Sequence, residues 1–339
     1  MKHFLALLAI VLLVPAANAD DCTQVFVSNE MSGDVSVIDA GKLAVVATIP
    51  VGKRPRGLKV SPGGAHVYVA LSGSPPAGPG VDESTLPPAD KSADGIGVID
   101  TGTMRLTRVI RGVSDPEQLA ISADGRVLFV ASEDEGRLVV FDAQSGEVQA
   151  RIPVGAEAEG VNISPDGRVV FATSEAEHRV TVIDAQRFTT LAALDVGMRP
   201  RATAFSRDGA HAYVMNEASA NVTAIDVKAR RVTGTLKPAT PGVLPMNGAV
   251  SPDGGLLYLS TGRAGQLLAI NTADGLVRGN LASGARPWGL AMKPDGSRLY
   301  AANGPSNDVA VVDTGAWKII AKLPGGSKPW GVACAPETH

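Results

Sequence analysis

The sequence predicts an all-β repeat fold of the β-propeller class, and two periodic observations carry the prediction. An aromatic residue within a short apolar run recurs at intervals of 42, 61, 42, 42, 45 and 42 residues. A period near 42 residues is typical of propeller blades, and the long interval indicates an insertion. The seven marker residues are Phe26, Tyr68, Phe129, Phe171, Tyr213, Tyr258 and Tyr300. They include every tyrosine of the chain, so we expect them to lie in the core.

Each repeat contains four apolar runs, which we interpret as four short strands. The first run carries the aromatic marker, and the second ends in a Val-Ile-Asp or related triplet, as in 180–184. A third run such as 45–51 and a fourth run such as 57–64, which follows a proline, complete the repeat. Their β-branched residues and alternation favour strands over helices. The aspartate of the second run recurs in six repeats, with Asn271 in the other, which indicates a turn residue and not a catalytic one.

Length, charge and the N-terminus limit the classes of function. The chain has 339 residues, 45% of them hydrophobic, which is ample for a large core. A net charge of −3 argues against an obligatory nucleic-acid partner, because phosphate binding needs a clustered basic excess.

The N-terminal residues have the pattern of an export signal. Lys2 precedes an apolar run over 4–14, and Ala17-Asn18-Ala19 forms a small-x-small cleavage site, so we predict a signal peptide over 1–19 and a mature domain over 20–339. The alternative is a membrane anchor, but this run is too short to span a bilayer. The two cysteines, Cys22 and Cys334, stand at opposite ends of the mature chain. In an oxidising compartment they could form a disulfide or remain unrelated thiols.

The repeats resemble the YVTN-type β-propeller repeat over essentially all of residues 24–336. The shared motifs are the aromatic-Val run, V-x-V-I-D, I-x-V-G, Pro-x-Gly and S-P-D-G. The resemblance implies seven blades of four antiparallel strands, with the strand after Pro-x-Gly lining the central channel. The N- and C-terminal segments would then share the closing blade. In that register Cys22 and Cys334 flank one hairpin, which favours the disulfide.

One position varies among the repeats more than a structural role requires. The residue after the proline step (Ala158 replaces the proline in one repeat) forms a set of seven: Arg56, Glu117, Glu159, Arg201, Met246, Trp288 and Trp330. This set divides into a charged arc and an apolar arc. Two positions earlier, Arg54, Glu157 and Arg199 add further charges. We interpret all ten as binding candidates for a ligand with an anionic or polar end and an apolar body, or for a partner protein. The alternative is that Arg and Glu pair with each other and the tryptophans only pack neighbouring blades.

Residues 72–95 form a proline-rich insertion, interpreted either as a solvated loop or as a lid or docking loop. Trp317, in a third apolar run, is expected to pack between blades. His178 lies beside Glu175 and Glu177, where a solvated loop is favoured over a metal site, so no metal ligands are predicted. The sequence has no G-x-S-x-G, P-loop or haem-attachment motif, and no catalytic residues are assigned.

The insertion narrows the resemblance further. Its V-D-E-S-T-L-P-P segment, together with the signal peptide and terminal cysteines, is similar to the PQQ-dependent-catabolism-associated β-propeller family. That resemblance implies a periplasmic protein with an accessory role in PQQ-dependent alcohol oxidation. A quinoprotein dehydrogenase, a cytochrome or a transporter component would be its partner. The family supplies no catalytic residues that can be carried over to this chain.

Three functions remain open from the sequence. The sequence favours the first, a non-catalytic periplasmic protein that binds a small molecule or docks a partner, over an enzyme. The second is a hydrolase of the propeller lactonase type, in which Arg and Glu residues at the mouth of the central channel polarise an ester and activate water. The third is a carrier of the cofactor PQQ, with Arg56 and Arg201 facing its carboxylates and the tryptophans stacking on its ring.

Overall fold

The computed structural model describes residues 22–76, 81 and 85–335, which form a seven-bladed β-propeller. The predicted signal peptide over 1–19, and part of the insertion, lie outside the described residues. The described part includes two single 3-10 turns, Lys91–Ala93 and Gly262–Ala264. No helix in these ranges is long and apolar enough to cross a membrane.

Each blade is a four-stranded antiparallel sheet, and the strands are numbered β1 to β28 in chain order. The innermost strands follow the proline step: β28 (Pro329–Ala335), β4 (Pro55–Val60), β8 (Pro116–Ile121), β12 (Ala158–Ile163), β16 (Pro200–Phe205), β20 (Asn247–Val250) and β24 (Pro287–Met292). The second strands carry the aromatic markers: β1 (Gln24–Asn29), β5 (His66–Leu71), β9 (Val127–Ser132), β13 (Val169–Ser174), β17 (His211–Asn216), β21 (Leu256–Ser260) and β25 (Arg298–Asn303). In this order the sets belong to blades 1 to 7.

The two outer strands of each blade complete the sheet. The third strands end at the repeated aspartate or asparagine: β2 (Asp34–Asp39), β6 (Gly95–Asp100), β10 (Arg137–Asp142), β14 (Arg179–Asp184), β18 (Asn221–Asp226), β22 (Gln266–Asn271) and β26 (Asp308–Asp313). The outermost strands are β3 (Ala44–Pro50), β7 (Arg105–Ile110), β11 (Val148–Pro153), β15 (Thr189–Asp195), β19 (Arg231–Leu236), β23 (Val277–Ala282) and β27 (Lys318–Pro324). The predicted seven-bladed fold is therefore confirmed.

The two ends of the chain complete blade 1 together. Strand β28 pairs with β1 in antiparallel register, with Gln24 opposite Ala335. Cys22 and Cys334 form the predicted disulfide across this seam, with their Cα atoms 5.3 Å apart. Such a bond is compatible with a secreted protein.

The core lies between neighbouring blades. All seven aromatic markers are buried, as the sequence predicts. Trp317 of blade 7 stacks on Tyr258 of blade 6, with ring centroids 5.5 Å apart, which is the packing role expected for it. Trp317 lies in the turn just before β27 and not within the strand, because its φ of 48° is left-handed. The repeated aspartates act as turn residues: Asp39 Oδ1 accepts hydrogen bonds from the backbone N–H groups of Gly41 and Lys42, at 3.0 and 2.8 Å.

Glycines allow the innermost strands to approach one another. A Cβ on Gly57 would lie 2.7 Å from the Glu117 carbonyl oxygen, and one on Gly289 would lie 2.5 Å from that of Trp330. Because a real Cβ cannot approach backbone so closely, these positions need glycine. The close approach brings the residue after the proline step to the same level of each blade, around the axis.

Candidate functional site

The seven residues after the proline step converge at one end of the central channel, on the face that we call the mouth face. We call them the ring: Arg56, Glu117, Glu159, Arg201, Met246, Trp288 and Trp330. Each is at most 9% exposed, so together they form a buried layer at this end of the channel. The predicted division into charged and apolar arcs is present, although the arcs are buried and do not line an open mouth.

Arg201 is the centre of the charged arc because it contacts three glutamates. Its Nη1 lies 3.5 Å from Glu159 Oε2, and its Nε donates to Glu217 Oε2 at 2.6 Å. It also pairs with Glu175. Glu175 in turn accepts a hydrogen bond from Arg199 Nε at 2.9 Å. Two guanidiniums therefore face three buried carboxyl groups. Protonation of one carboxyl would stabilise the cluster, because it removes repulsion between carboxylates.

Glu159 is the carboxyl most affected. Burial raises its pKa to about 8; Arg201 acts in the opposite direction, and Glu175 adds to the increase. Burial also raises the pKa of Glu175, against the charges of Arg201 and Arg199. For Arg201, burial acts against the charge, but the neighbouring glutamates raise its pKa. Near neutral pH the site thus holds a protonated carboxyl beside a permanently charged guanidinium.

Arg56 forms a second ion-pair group on blades 2 and 3. It pairs with Glu117, and its Nη1 lies 3.9 Å from Glu133 Oε2. Asp115, Glu117 and Glu133 each place a carboxylate oxygen within 4.8 Å of the others, a spacing that could hold a cation. Arg56 already supplies positive charge to these carboxyl groups. Burial raises the pKa of Glu133 despite Arg56, whereas for Asp115 burial is outweighed by Arg56 and by the Ser72 hydroxyl, which lower its pKa.

The apolar arc is connected to the charged arc through cation–π contacts. Trp288 and Trp330 pack together with Met246, with indole centroids 5.2 Å apart and planes tilted by 30°. The Arg56 guanidinium lies 5.5 Å from the Trp330 ring, and that of Arg201 lies 5.2 Å from the Trp288 ring. The charged and apolar ring residues therefore pair or pack with one another, which is the arrangement described by the structural alternative to ligand binding.

The indole N–H of Trp288 and the guanidinium of Arg286 have no hydrogen-bond acceptor or carboxylate partner among the residues that the structure describes. Trp288 Nε1 is buried without a hydrogen-bond acceptor among the described residues. Arg286 lies over the same indole at 4.9 Å and has no carboxylate partner within that part of the chain. Burial, and then the nearby Arg201, lower the pKa of the Arg286 guanidinium. An anionic group would satisfy both donors.

The three further binding candidates lie at the rim around the ring. Arg54 pairs with Glu30 at 2.9 Å and donates to the Ser74 carbonyl oxygen at 2.5 Å, so it holds the start of the insertion. Arg199 belongs to the Arg201 network. Glu157 is exposed and lines a groove of about 500 Å³ between blades 3 and 4.

The described ends of the insertion are attached to the rim and are not freely solvated. Lys53 pairs with Asp90 at 2.7 Å, and Lys91 pairs with Asp134 of blade 3. Asp94 is buried and accepts a hydrogen bond from the Asp115 backbone N–H at 3.0 Å. The insertion is thus positioned beside the charged arc, and its role as a lid or docking loop stays a prediction.

His178 has a structural contact. Its Nδ1 is hydrogen-bonded to the Glu175 carbonyl oxygen at 2.8 Å, and its φ of 54° places it in a turn. This agrees with the interpretation of His178 as a loop residue.

Sequence reasoning missed the glutamates that pair with the arginines of the ring and the rim. Glu30, Glu133, Glu175 and Glu217 each directly follow the second strand of their blade. An alignment of the repeats at the end of the second strand shows the same acidic residue in four blades.

Comparisons with known proteins agree with this fold. A family model described as "Lactonase, 7-bladed beta-propeller" matches residues 155–317, which include Glu159, Glu175, Arg201, Glu217 and Trp288. A search of curated proteins gave no match. Neither comparison addresses the narrower resemblance to PQQ-associated propellers.

Solved structures with the same fold share little sequence identity with this chain. A putative 6-phosphogluconolactonase from Bacteroides uniformis is 21% identical, with a TM-score of 0.72 over 92% of this chain and 99% of that one. A functionally unknown protein from Desulfotomaculum acetoxidans is 15% identical, with a TM-score of 0.74 over 93% and 100%. Hydrazine synthase from Kuenenia stuttgartiensis is 20% identical, with a TM-score of 0.69 over 83% and 90%. At such identities the similarity establishes the fold alone.

Proposed function

We propose that the chain is a hydrolase of the propeller lactonase type, acting on a cyclic ester at the charged arc of the ring. The observation that carries the proposal is the Glu159 carboxyl, whose pKa burial raises to about 8, lying 3.5 Å from the Arg201 guanidinium. Both residues fall within the segment matched by the lactonase family model, and a putative 6-phosphogluconolactonase shares the fold.

The chemistry follows from the charges of these groups. Arg201 polarises the lactone carbonyl and stabilises the oxyanion that forms when water attacks the carbonyl carbon. Glu133, whose side chain is 34% exposed, accepts the proton of the attacking water. The C–O bond within the lactone then breaks, and the leaving alkoxide takes a proton from Glu159. The product is a hydroxy acid. A carboxyl with a pKa near neutral is suited to this proton transfer.

Substrate entry requires a side chain to move. Glu159 and Arg201 are 2% and 6% exposed, whereas the Arg199 side chain is 40% exposed and shares Glu175 with Arg201. A rotamer change of Arg199 would open the network to solvent and leave the Arg201–Glu217 pair in place. The substrate carbonyl would then replace part of the contact between Arg201 and Glu175.

The test is proton release from a panel of five- and six-membered lactones, measured by pH-stat titration. Glu159→Gln should lower kcat by about 10²-fold or more, because it removes the general acid while keeping its shape. Glu147→Gln is the matched control, since Glu147 is exposed in the β10–β11 turn. A wild-type rate in Glu159→Gln, or no hydrolysis of any lactone by the wild type, would contradict the proposal.

A second candidate is binding without catalysis, in a periplasmic role accessory to PQQ-dependent alcohol oxidation. The unpaired Arg286 and Trp288 Nε1 favour it, because they could bind the carboxylate of a small molecule or of a partner. The partner would be a quinoprotein dehydrogenase, a cytochrome or a transporter component. Affinity capture from cells grown on an alcohol, repeated with Arg286→Met, tests this: capture of such a partner that is lost in the variant supports it.

The predicted arrangement for a PQQ carrier does not fit the ring. Arg56 and Arg201 are both held by glutamates, and the two indoles already contact each other and these guanidiniums. No open aromatic face with free arginines is therefore present among these residues for the PQQ ring and its carboxylates. Calorimetry with PQQ at high micromolar concentration should show no heat of binding at the ring.

A further inference from the structure

A narrow tunnel runs along the propeller axis beneath the ring. Its volume is about 90 Å³, and its walls are formed by the innermost strands, with Trp330 at the ring end. Since a water molecule occupies about 30 Å³ in the liquid, the tunnel has room for about three waters or for one small ion of several atoms. The buried ring lies between the tunnel and the mouth face, which separates the tunnel from the site described above.

The tunnel carries polar side chains that the repeat does not require. Lys59 projects from β4, Gln118 from β8 and Thr203 from β16. At the position of Lys59 the other innermost strands carry five alanines and Asn162. Alanine therefore satisfies the packing at this level, and the lysine needs another explanation.

Three hydrogen-bond donors in the tunnel are unused by the described part of the chain. Lys59 has neither a hydrogen bond nor an ion pair there, and Gln118 Nε2 and Thr203 Oγ1 are buried without partners. Asn162 differs, because its Nδ2 donates to the Thr203 carbonyl oxygen at 2.9 Å. No acidic residue lines the tunnel among the described residues. Burial lowers the pKa of Lys59, with no carboxylate to compensate.

An unpaired lysine with two unsatisfied donors around a partly enclosed space is complementary to negative charge. We propose that the axial tunnel binds one small oxyanion of the size of a carboxylate or inorganic phosphate. Lys59 supplies the positive charge, and the Gln118 amide and the Thr203 hydroxyl donate hydrogen bonds to the anion oxygens. The proposal is independent of lactone hydrolysis, because the tunnel lies on the other side of the ring from the groups assigned to that reaction.

The experiment measures binding of acetate and of inorganic phosphate to the mature chain by titration calorimetry. The background electrolyte is a bulky sulfonate buffer at constant ionic strength, which is too large for the tunnel. Wild-type protein should bind at least one of the two anions at one saturable site, and its thermal midpoint should rise with the logarithm of anion concentration. Lys59→Met should weaken binding by about tenfold or more, because it removes the charge and keeps the aliphatic length.

Matched variants make the test specific. Lys318→Met removes an exposed lysine from β27 and should bind as the wild type does. Thr203→Val and Gln118→Leu retain Lys59 and should each weaken binding several-fold, which keeps the test valid if Lys59→Met does not fold. Without added anion, Lys59→Met should be at least as stable as the wild type and should hydrolyse any lactone substrate at the wild-type rate. Binding by Lys59→Met at wild-type affinity, or no saturable binding of either anion to the wild type, would overturn the proposal.

Discussion

Replacing Glu159 by glutamine should stabilise the protein in a way that depends on pH. The carboxyl is 2% exposed, and burial raises its pKa to about 8 from an ordinary value of 4.5. Between these two values the folded state retains a proton that the unfolded chain releases. Stability therefore falls as pH rises from about 4.5 to about 8 and levels off above that range. Glutamine at this position does not titrate, so the variant escapes the loss.

The size of the effect follows from the pKa difference. Each pKa unit corresponds to about 1.4 kcal/mol, so the wild type should lose about 3 kcal/mol relative to Glu159→Gln between about pH 4.5 and pH 7. The full difference above about pH 8 is about 5 kcal/mol. Below about pH 4.5 the two proteins should show no pH-dependent difference, because the carboxyl is protonated in both the folded and the unfolded state.

Urea denaturation followed by tryptophan fluorescence measures this difference, since Trp288 and Trp330 lie within the ring. Midpoints of wild type and Glu159→Gln should diverge steadily from about pH 4.5 to about pH 8.5. The exposed control Glu147→Gln should remain parallel to the wild type. If Glu159→Gln also remains parallel, Glu159 titrates normally, and the reasoning on both its burial and its role as a general acid is wrong.

Three further predictions concern the scaffold. Reduction of the disulfide, or Cys22→Ser, should lower the calorimetric melting temperature; for a separation of 312 residues the chain-entropy model gives about 5–6 kcal/mol, and an unchanged midpoint would exclude a stabilising role. Gly289→Ala should cost about 1–3 kcal/mol in urea denaturation, because its methyl group would lie 2.5 Å from the Trp330 carbonyl oxygen, whereas Gly234→Ala, with open space around it, should be nearly neutral. Lys91→Met removes the ion pair with Asp134 and should speed proteolytic cleavage of the insertion without changing the melting temperature; equal cleavage rates would show that this pair does not hold it.

The fold could be predicted from the sequence because each blade repeats the same physical solution. An aromatic residue packs between blades and an aspartate or asparagine closes a turn in every repeat, and in four blades a glycine lets the innermost strands meet. The closing blade and the disulfide followed from that register. The sequence predicts Trp317 within a strand, whereas it lies in the preceding turn. Its left-handed backbone conformation has no signal in the neighbouring residues.

The candidate site was predicted only in part. Aligning the repeats at the proline step predicts which residues form the ring and that they share one position along the axis. It does not predict that they are buried. Whether Arg201 faces solvent or glutamates depends on Glu175 and Glu217, which are 26 and 16 residues away along the chain and follow β13 and β17. The shifted pKa of Glu159 arises from that three-dimensional crowding of carboxyl groups. An alignment of one position in the repeats therefore cannot predict the pKa of Glu159.

The seam in blade 1 gives the molecule the topology of a closed circle. Gln24 lies opposite Ala335, and a covalent bond already joins the chain beside that pair. A short peptide linker could therefore replace the natural ends, and new termini could open in an exposed outer turn such as 228–230. Such circular permutants would start in different blades but keep the same set of neighbours. In this architecture the packing of the blades does not depend on which residue comes first in the chain.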